Sequence, residues 1–592
     1  MTTRPAPDTD GRIPEEAGAP PDTREIGTQP RVGPVGAPGT TATLERCAWS
    51  LVWLGVVLGG LSFWVSWTSW PPGGYLSPLI VLVGIIGGVA TWLVRDQRGP
   101  ILQVAALLAS LAATLGREGI WIHVRQYYST DSGAFNQVAA RLLVHGSDPY
   151  TSSLASASNL LQTPVDYWTY TATGGHITSV SYPAGSFLME VPALLLGFHH
   201  QIADWMDLIA WLVTGALIFV LLPASLRWVG PLLVAVPLYA DVFGNGGTDA
   251  VFLPFLVLAV WRWDRFCAGR GAGLARWVGP VALGLACSIK QTPWFCVPFL
   301  AVGLYLEARA AGRRPLRIVA GYLAIVAGVF GAVNLPFIIW QPVAWARGSV
   351  LPFDRPLVAD GQGLVTLALH GVVRGVSLPL LTVVSVLVFV SLLAALAVWY
   401  PAMKRIWMLL LPLTFFVGSR SLLTYLLDLF PAALVAAVSV AAVSRPAHAR
   451  PAGRLRMPLA LAALVPAAAA VVVAVVAFST PPLQVQVTSF YSTNAATLLD
   501  SVTVEVHNTT DRTVVPHFLV SIGSSHPTGF WHARDGRPVV LGPHASALVV
   551  LRPPVFTGAP SHGAYWMVQA YTSSPAALSN SPLQHWRLGK IK

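Results

Sequence analysis

Apolar runs of roughly 15 to 25 residues, separated by short polar turns, recur along most of this chain, and that is the length a helix needs to cross a bilayer. They fall at 48–69, 76–94, 100–122, 184–198, 203–226, 229–243, 246–262, 277–306, 315–340, 362–373, 377–400, 405–418, 421–443 and 458–480. The run at 277–306 is a candidate for a break near Lys290, the one charge inside it. The pattern predicts an α-helical polytopic membrane protein of about 11–14 membrane segments. Residues 1–43, rich in Pro, Gly, Thr and mixed charge, have no apolar core and read as a disordered cytoplasmic tail, not as a cleaved signal.

After residue 480 the period changes. Apolar and polar positions alternate in LQVQVTSFY, SVTVEVHN, HFLVSIG, ASALVVL and AYWMVQAYT, with Asn, Asp, Gly, Pro and Ser between them. Period-two runs with such breaks predict an antiparallel β-sandwich over 481–592. Trp531, Trp566 and Tyr571 are candidates to stack on sugar rings, or to fill the core of a purely structural lid.

Charge orients the spans. The formal net charge is +11, but the basic residues cluster between apolar runs, at Arg95 and Arg98, Arg262 to Arg276, Arg309 to Arg317 and Arg445 to Arg456. Positive-inside topology accounts for this without a nucleic-acid partner. With the turn at 95–98 cytoplasmic, the third span leads outward, and with 445–456 cytoplasmic the β-domain is extracytoplasmic as well. Placing Arg262 to Arg276 inside then requires a re-entrant or short segment between 184 and 244. The four cysteines, Cys47, Cys267, Cys287 and Cys296, have neither metal-ligand spacing nor a disulfide pattern.

The polar, aromatic-rich stretch at 123–183 is the place for chemistry at a membrane surface. Within it Phe135, Val138, Ala139, Leu142 and Leu143 share one helical face while Asn136, Gln137, Arg141 and His145 take other positions, which predicts an interfacial amphipathic helix at about 133–146. Asp131 precedes this helix and GSDPY, Gly146 to Tyr150, follows it.

On these residues the chain resembles the polytopic GT-C glycosyltransferases, most closely the polyprenyl-phosphate-mannose-dependent mannosyltransferases of family 87, known from actinobacteria. Asp131 in TDSGAFNQ is similar to that family's acidic residue after an early span, and Gly146 to Tyr150 to its G-x-DPY turn. Tyr182 and Pro183 match its YP element, NGGTDAVFLPFLVLA at 245–259 its Asn/Gly/Asp turn, and SIKQTPWFCVPF at 288–299 its Lys-x-x-Pro segment. The resemblance covers about residues 100–435. The hairpin at 48–94 and the β-domain depart from it, and Asp131 is followed by Ser132 where other branches carry a second acid.

The resemblance implies inverting transfer of a sugar from a polyprenyl-phosphate donor to a hydroxyl of a lipid-linked or polysaccharide acceptor, on the non-cytoplasmic face of the plasma membrane. Asp131 is then the general base, or alternatively a helix N-terminal residue. Lys290, one of four lysines in the chain, and Arg420 are candidates for the donor phosphate, against the alternatives of a snorkelling lysine and an interfacial anchor. Asn245 and Asp249 are candidates for substrate, with Asp249 also able to cap its helix or hold Lys290. His145, Asp148, Tyr150, His176 and Tyr182 are candidates for sugar hydroxyls, although DPY also forms turns. No His/carboxylate spacing calls for a metal, and no cofactor is expected. The Ala, Val, Gly and Arg bias points to a high-GC genome and an actinobacterial envelope, with mannose the first sugar and arabinose the second. Two other classes stay open: a transporter or flippase of a lipid-linked sugar, with charges at Glu190, Asp204, Asp207, Asp241, Asp249 and Lys290, and a noncatalytic envelope-assembly protein.

Overall fold

The computed structural model describes residues 38–67, 71–94, 99–164, 167–244, 246–272, 275–350, 356–440, 453–479, 481–492, 499–522, 528–554 and 565–585. Among the described residues, seven helices are long and apolar enough to span a membrane. They lie in α1 (Pro38–Trp67), α2 (Pro71–Leu93), α3 (Gly99–Val124), α5 (Ile202–Leu221), α11 (Pro315–Trp340), α12 (Leu378–Val398) and α14 (Gly453–Ser479). Their outward residues, such as Leu54, Ile86, Leu108, Val383 and Val472, are exposed aliphatic side chains, as a lipid-facing surface requires.

The remaining apolar runs form shorter helices, so among the described residues fewer single helices have spanning length than the hydropathy pattern has apolar runs. The helix α8 (Leu253–Val260) is eight residues long, and Ala250 to Leu253, Leu256, Val257, Ala259 and Val260 are all buried. It is surrounded by α5, α9 (Ala275–Ile289) and α13 (Leu429–Ser439). A helix enclosed by protein reads as apolar on every side without having to traverse lipid. The run at 277–306 does break at Lys290: α9 ends at Ile289, a 3₁₀ turn covers Thr292–Phe295, and α10 (Cys296–Ala310) follows. The helices α6 (Val229–Ala235) and α7 (Pro237–Phe243) belong to a pair bent by 61° at Val236, where Pro237 cannot continue the ladder. That bent pair is an element of the kind the charge pattern requires between 184 and 244.

Between α3 and α5 the chain forms a large loop carrying α4 (Asp131–Val144). Its two ends are clamped by Arg125, whose guanidinium pairs with Asp204 at 2.8 Å, both side chains at most 3% exposed. The helix α4 differs in part from an interfacial amphipathic helix, because two of its polar positions are buried, while Arg141 is half-buried and His145 exposed. Asn136 and Gln137 are inside; Gln137 bonds the Tyr128 hydroxyl, donates to the His199 carbonyl at 2.7 Å and accepts from the Ile202 amide at 3.1 Å. Gly133 is required at the N-terminal turn, since a Cβ there would meet the Gly246 carbonyl and the Tyr128 ring.

The C-terminal strands form one curled sheet, not two separate leaves. Its order is β2-β10-β9-β6-β7-β8-β5-β4, with β11 also against β9. The strands are β4 (Leu483–Ser492), β5 (Leu499–Asn508), β6 (His517–Ile522), β7 (Thr528–Ala533), β8 (Ser546–Arg552), β9 (Tyr565–Ser573), β10 (Ala576–Asn580) and β11 (Gln584–His585). The fold turns at β7, which pairs with β6 through Thr528 and Trp531 and with β8 through His532 and Ala533. One strand shared between both halves closes the layers over a common core of Val485, Val504, Phe518, Trp531, Leu551, Trp566 and Val568. Trp531, Trp566 and Tyr571 are at most 2% exposed, so these three rings are core and offer no face to a sugar. The edge strand β2 (Gly375–Ser377) comes from the helical part, directly before α12. The sheet's outer face meets the 125–201 loop: Tyr170 and Phe530 stand edge to face at 5.3 Å, and Leu519, Tyr571 and Leu578 share a cluster with Tyr170, Ala172 and Val376. Loop and sheet therefore lie on the same side of the helices.

Candidate functional site

A cavity of about 630 Å³ opens where the loop, the Lys290 break and α12 meet. Asp131, Ser132, Asn136, Thr169, Tyr182, Lys290, Gln291, Arg420 and Tyr425 supply its polar lining. Leu378, Pro379, Thr382, Ser385, Val386 and Phe389 line it from α12, at spacings that share one helical face, with Phe295 and Phe415 beside them. At 1.5 Å per residue that face extends for about 16 Å along a membrane-spanning helix.

Asp131 is held for exposure to this cavity by its neighbours. Thr130 is the N-cap of α4, its side chain accepting from the Gly133 amide, so capping does not occupy Asp131. One carboxylate oxygen accepts from the Thr169 amide at 2.6 Å. Burial raises its pKa above the ordinary 3.8, opposed by the Thr169 bonds and by Arg420.

Lys290 sits at the break in the apolar run, directly after Ile289 ends α9. It is 3% exposed and ion-paired with Asp249, and its ammonium lies 3.4 Å from the Gly247 carbonyl. The Tyr182 and Tyr425 rings each approach it at 5.4 Å. The turn that holds Asp249 is fixed from beneath by Asp207, which accepts from the Thr248 and Ala250 amides at 3.0 and 3.2 Å. Gln291 locks the break by donating to the Ser181 and Ser349 carbonyls at 2.8 and 2.6 Å. Arg420 lies in β3 (Arg420–Ser421), a two-residue parallel pair with β1 (Asp360–Gly361), and reaches Asp360 at 3.7 Å.

The structure thus brings Asp131, Tyr182, Lys290 and Arg420 to one cavity, with Asp249 behind Lys290. The other described candidates lie elsewhere. Asp148 is a turn residue: its carboxylate accepts from the Tyr150 amide at 3.0 Å and from the Thr151 hydroxyl at 3.1 Å. Tyr150 is buried against Phe187 and Phe337 and donates to the Tyr182 carbonyl at 2.8 Å, which supports the cavity wall from outside. His145 is the exposed C-cap residue of α4, its ring 2.7 Å from the Arg141 carbonyl. His176 packs on Trp168 with ring centroids 4.3 Å apart and the planes tilted, and lines a small crevice on another side of Asp131, with its pKa lowered by burial. Asn245 is outside the described residues. Thr169, Gln291 and Tyr425 are cavity residues that sequence reasoning missed; only Gln291, next to the charged break, carried a local signal. Among the described residues no group of three or more His, Cys, Asp or Glu is placed to hold a metal ion.

No family model, characterised protein or solved structure matches this chain.

Proposed function

We propose that the chain is a membrane glycosyltransferase moving a sugar, mannose first and arabinose second, from a polyprenyl-phosphate donor to a hydroxyl of a cell-envelope glycan or glycolipid on the non-cytoplasmic face. The observation that carries this reading is the single cavity in which a carboxylate, two cations and an apolar helical face converge. The apolar face of α12 suits a prenyl tail lying along the span, and Lys290 and Arg420 suit the phosphate at its end. In the reaction Asp131 takes the proton of the acceptor hydroxyl as its oxygen bonds to the anomeric carbon. The bond from that carbon to the phosphate oxygen breaks, the configuration inverts, and the electron pair leaves on polyprenyl phosphate. The basic clusters at 95–98 and 445–456 support the sidedness through the positive-inside rule.

A translocator of a lipid-linked sugar would use the same groove but would not need a base. Sugar transfer from radiolabelled polyprenyl-phosphate mannose and arabinose by the full chain in native-lipid vesicles separates the two. The enzymatic reading expects transfer by the wild type that disappears in Asp131→Asn. Retained transfer in that variant removes Asp131 from the mechanism, and lipid-sugar binding without transfer from either donor favours translocation.

A further inference from the structure

The segment at 356–377 works as a strap joining three parts of the molecule. At its start the Ala172 amide donates to the Pro356 carbonyl at 2.9 Å and the Val358 amide to the Tyr170 carbonyl at 3.0 Å. Tyr170 directly follows Thr169, whose amide holds the Asp131 carboxylate. In its middle Asp360 and Gln362 donate from their amides to the Ser419 and Ser421 carbonyls at 3.2 and 2.7 Å, which sets the backbone on both sides of Arg420. At its end Gly375 to Ser377 pair with Ala577 to Ser579 of the C-terminal sheet.

The sheet grips this strap with one buried side chain in particular. The Asn580 amide nitrogen donates to the Arg374 carbonyl at 2.7 Å. Its side-chain nitrogen donates to the Ala368 carbonyl at 2.5 Å and the Val373 carbonyl at 3.2 Å. There is little slack on the opposite side. Gly361 has φ +110°, and a Cβ there would collide with the Ser421 carbonyl, the residue after Arg420. Ala576, at the start of the strand that carries the grip, itself lines the cavity.

We propose that the C-terminal sheet is part of the donor site: Asn580 is a positioning residue that, through the strap and the β1–β3 pair, sets Arg420 against the lipid phosphate. This rests on the reading of the cavity as a polyprenyl-phosphate site. The sheet is then no appended binding module, and its presence sets donor affinity.

The test uses the full chain in lipid nanodiscs with sugar-free polyprenyl phosphate as the probe. Arg420→Ala and Asn580→Ala are each expected to weaken binding by about tenfold, the range for losing hydrogen bonds to or behind a charged group. Gly361→Ala, which displaces the strap from the other side, is expected to do the same. The deciding measurement is the double variant Asn580→Ala with Arg420→Ala, expected to bind no worse than Arg420→Ala alone because both changes act through one guanidinium. Multiplicative losses, or unchanged affinity in Asn580→Ala and Gly361→Ala beside a weakened Arg420→Ala, overturn the proposal. So does absence of lipid-phosphate binding by the wild type. Wild-type binding with the expected non-additivity but no sugar transfer supports the positioning role and overturns the enzymatic reading alone.

Discussion

Asp131 and Lys290 are opposite uses of a buried charge. Asp131 is 8% exposed and raised above its ordinary pKa by burial, so it binds a proton more readily in the folded chain than in the unfolded one. Its contribution to stability is therefore greatest at low pH and declines as pH rises from 3.8 through the folded-state value. The proposed role as a base requires the reverse dependence, since a base must be ionised. The acid limb of the rate profile should sit above 3.8, and Asp131→Asn should lower transfer by about 10² to 10⁴-fold while leaving the fold intact. A pH profile of initial rates together with thermal unfolding of both proteins checks this. Lys290, by contrast, compensates carboxylates. Lys290→Met leaves Asp249 buried without its cation, with Asp207 beneath the same turn, and should destabilise the protein by about 3–5 kcal/mol. Adding Asp249→Asn should recover part of that stability but none of the activity, as read by unfolding in detergent and by transfer in vesicles. Lys290 was legible for a physical reason, as a lone lysine in an apolar run; Asp131 was legible mainly through its motif, since an acid at the entry of a helix is common. His145, Asp148 and Tyr150 were legible only as a motif. The structure gives that motif a turn, a cap and a wall-supporting bond: Asp148 is satisfied locally by the Tyr150 amide and the Thr151 hydroxyl, while the Tyr150 hydroxyl reaches the Tyr182 carbonyl.

At the scale of elements, burial on all sides erases the patterns from which elements are read. The helix α8 reads as a membrane span because protein surrounds it, and β10, buried at all five positions, shows no alternation to reveal it as a strand. The single-faced elements were legible: the strands β4, β5 and β8 keep an alternating face, and the seven long apolar helices coincide with predicted spans. The β1–β3 and β2–β10 pairs were not, since each joins short segments far apart in sequence with no turn between them to announce the pairing. The cavity is composed at this scale. The face of α12 lined by Leu378, Thr382, Ser385 and Phe389 is where a prenyl tail would lie, so a bulky side chain there should act on the tail and not on the chemistry. Ser385→Trp should raise KM for a full-length polyprenyl-phosphate donor by at least about tenfold, since losing contact with two buried CH₂ groups amounts to about 1.6 kcal/mol. A donor with a tail of a single isoprene unit, shorter than the roughly 10 Å of helix between Leu378 and Ser385, should be affected much less. Equal losses for both donors would place the tail elsewhere.

For the whole molecule the decisive relation is that loop, strap and sheet share one side of the helices, whichever side the membrane gives them. Tyr170 against Phe530 and β2 against β10 make this a property of the fold, independent of any assignment of spans. The positive-inside rule then sets the side, through basic clusters at 95–98 and 445–456. Single cysteines introduced at exposed positions test the two steps separately. The exposed Cys47 is first replaced by serine; Cys267, Cys287 and Cys296 are buried and can remain. His145→Cys at the end of α4 and Leu548→Cys on the sheet, the latter position 68% exposed, then report the loop and the sheet. In intact cells a membrane-impermeant maleimide should label both, as expected if the cavity receives a donor and acceptor on the non-cytoplasmic face. Labelling of both only after the membrane is opened would keep the fold and invert the orientation, so that the acceptor would have to be cytoplasmic. Labelling of one but not the other would contradict the packing of loop on sheet, and with it the route from Asn580 to Arg420.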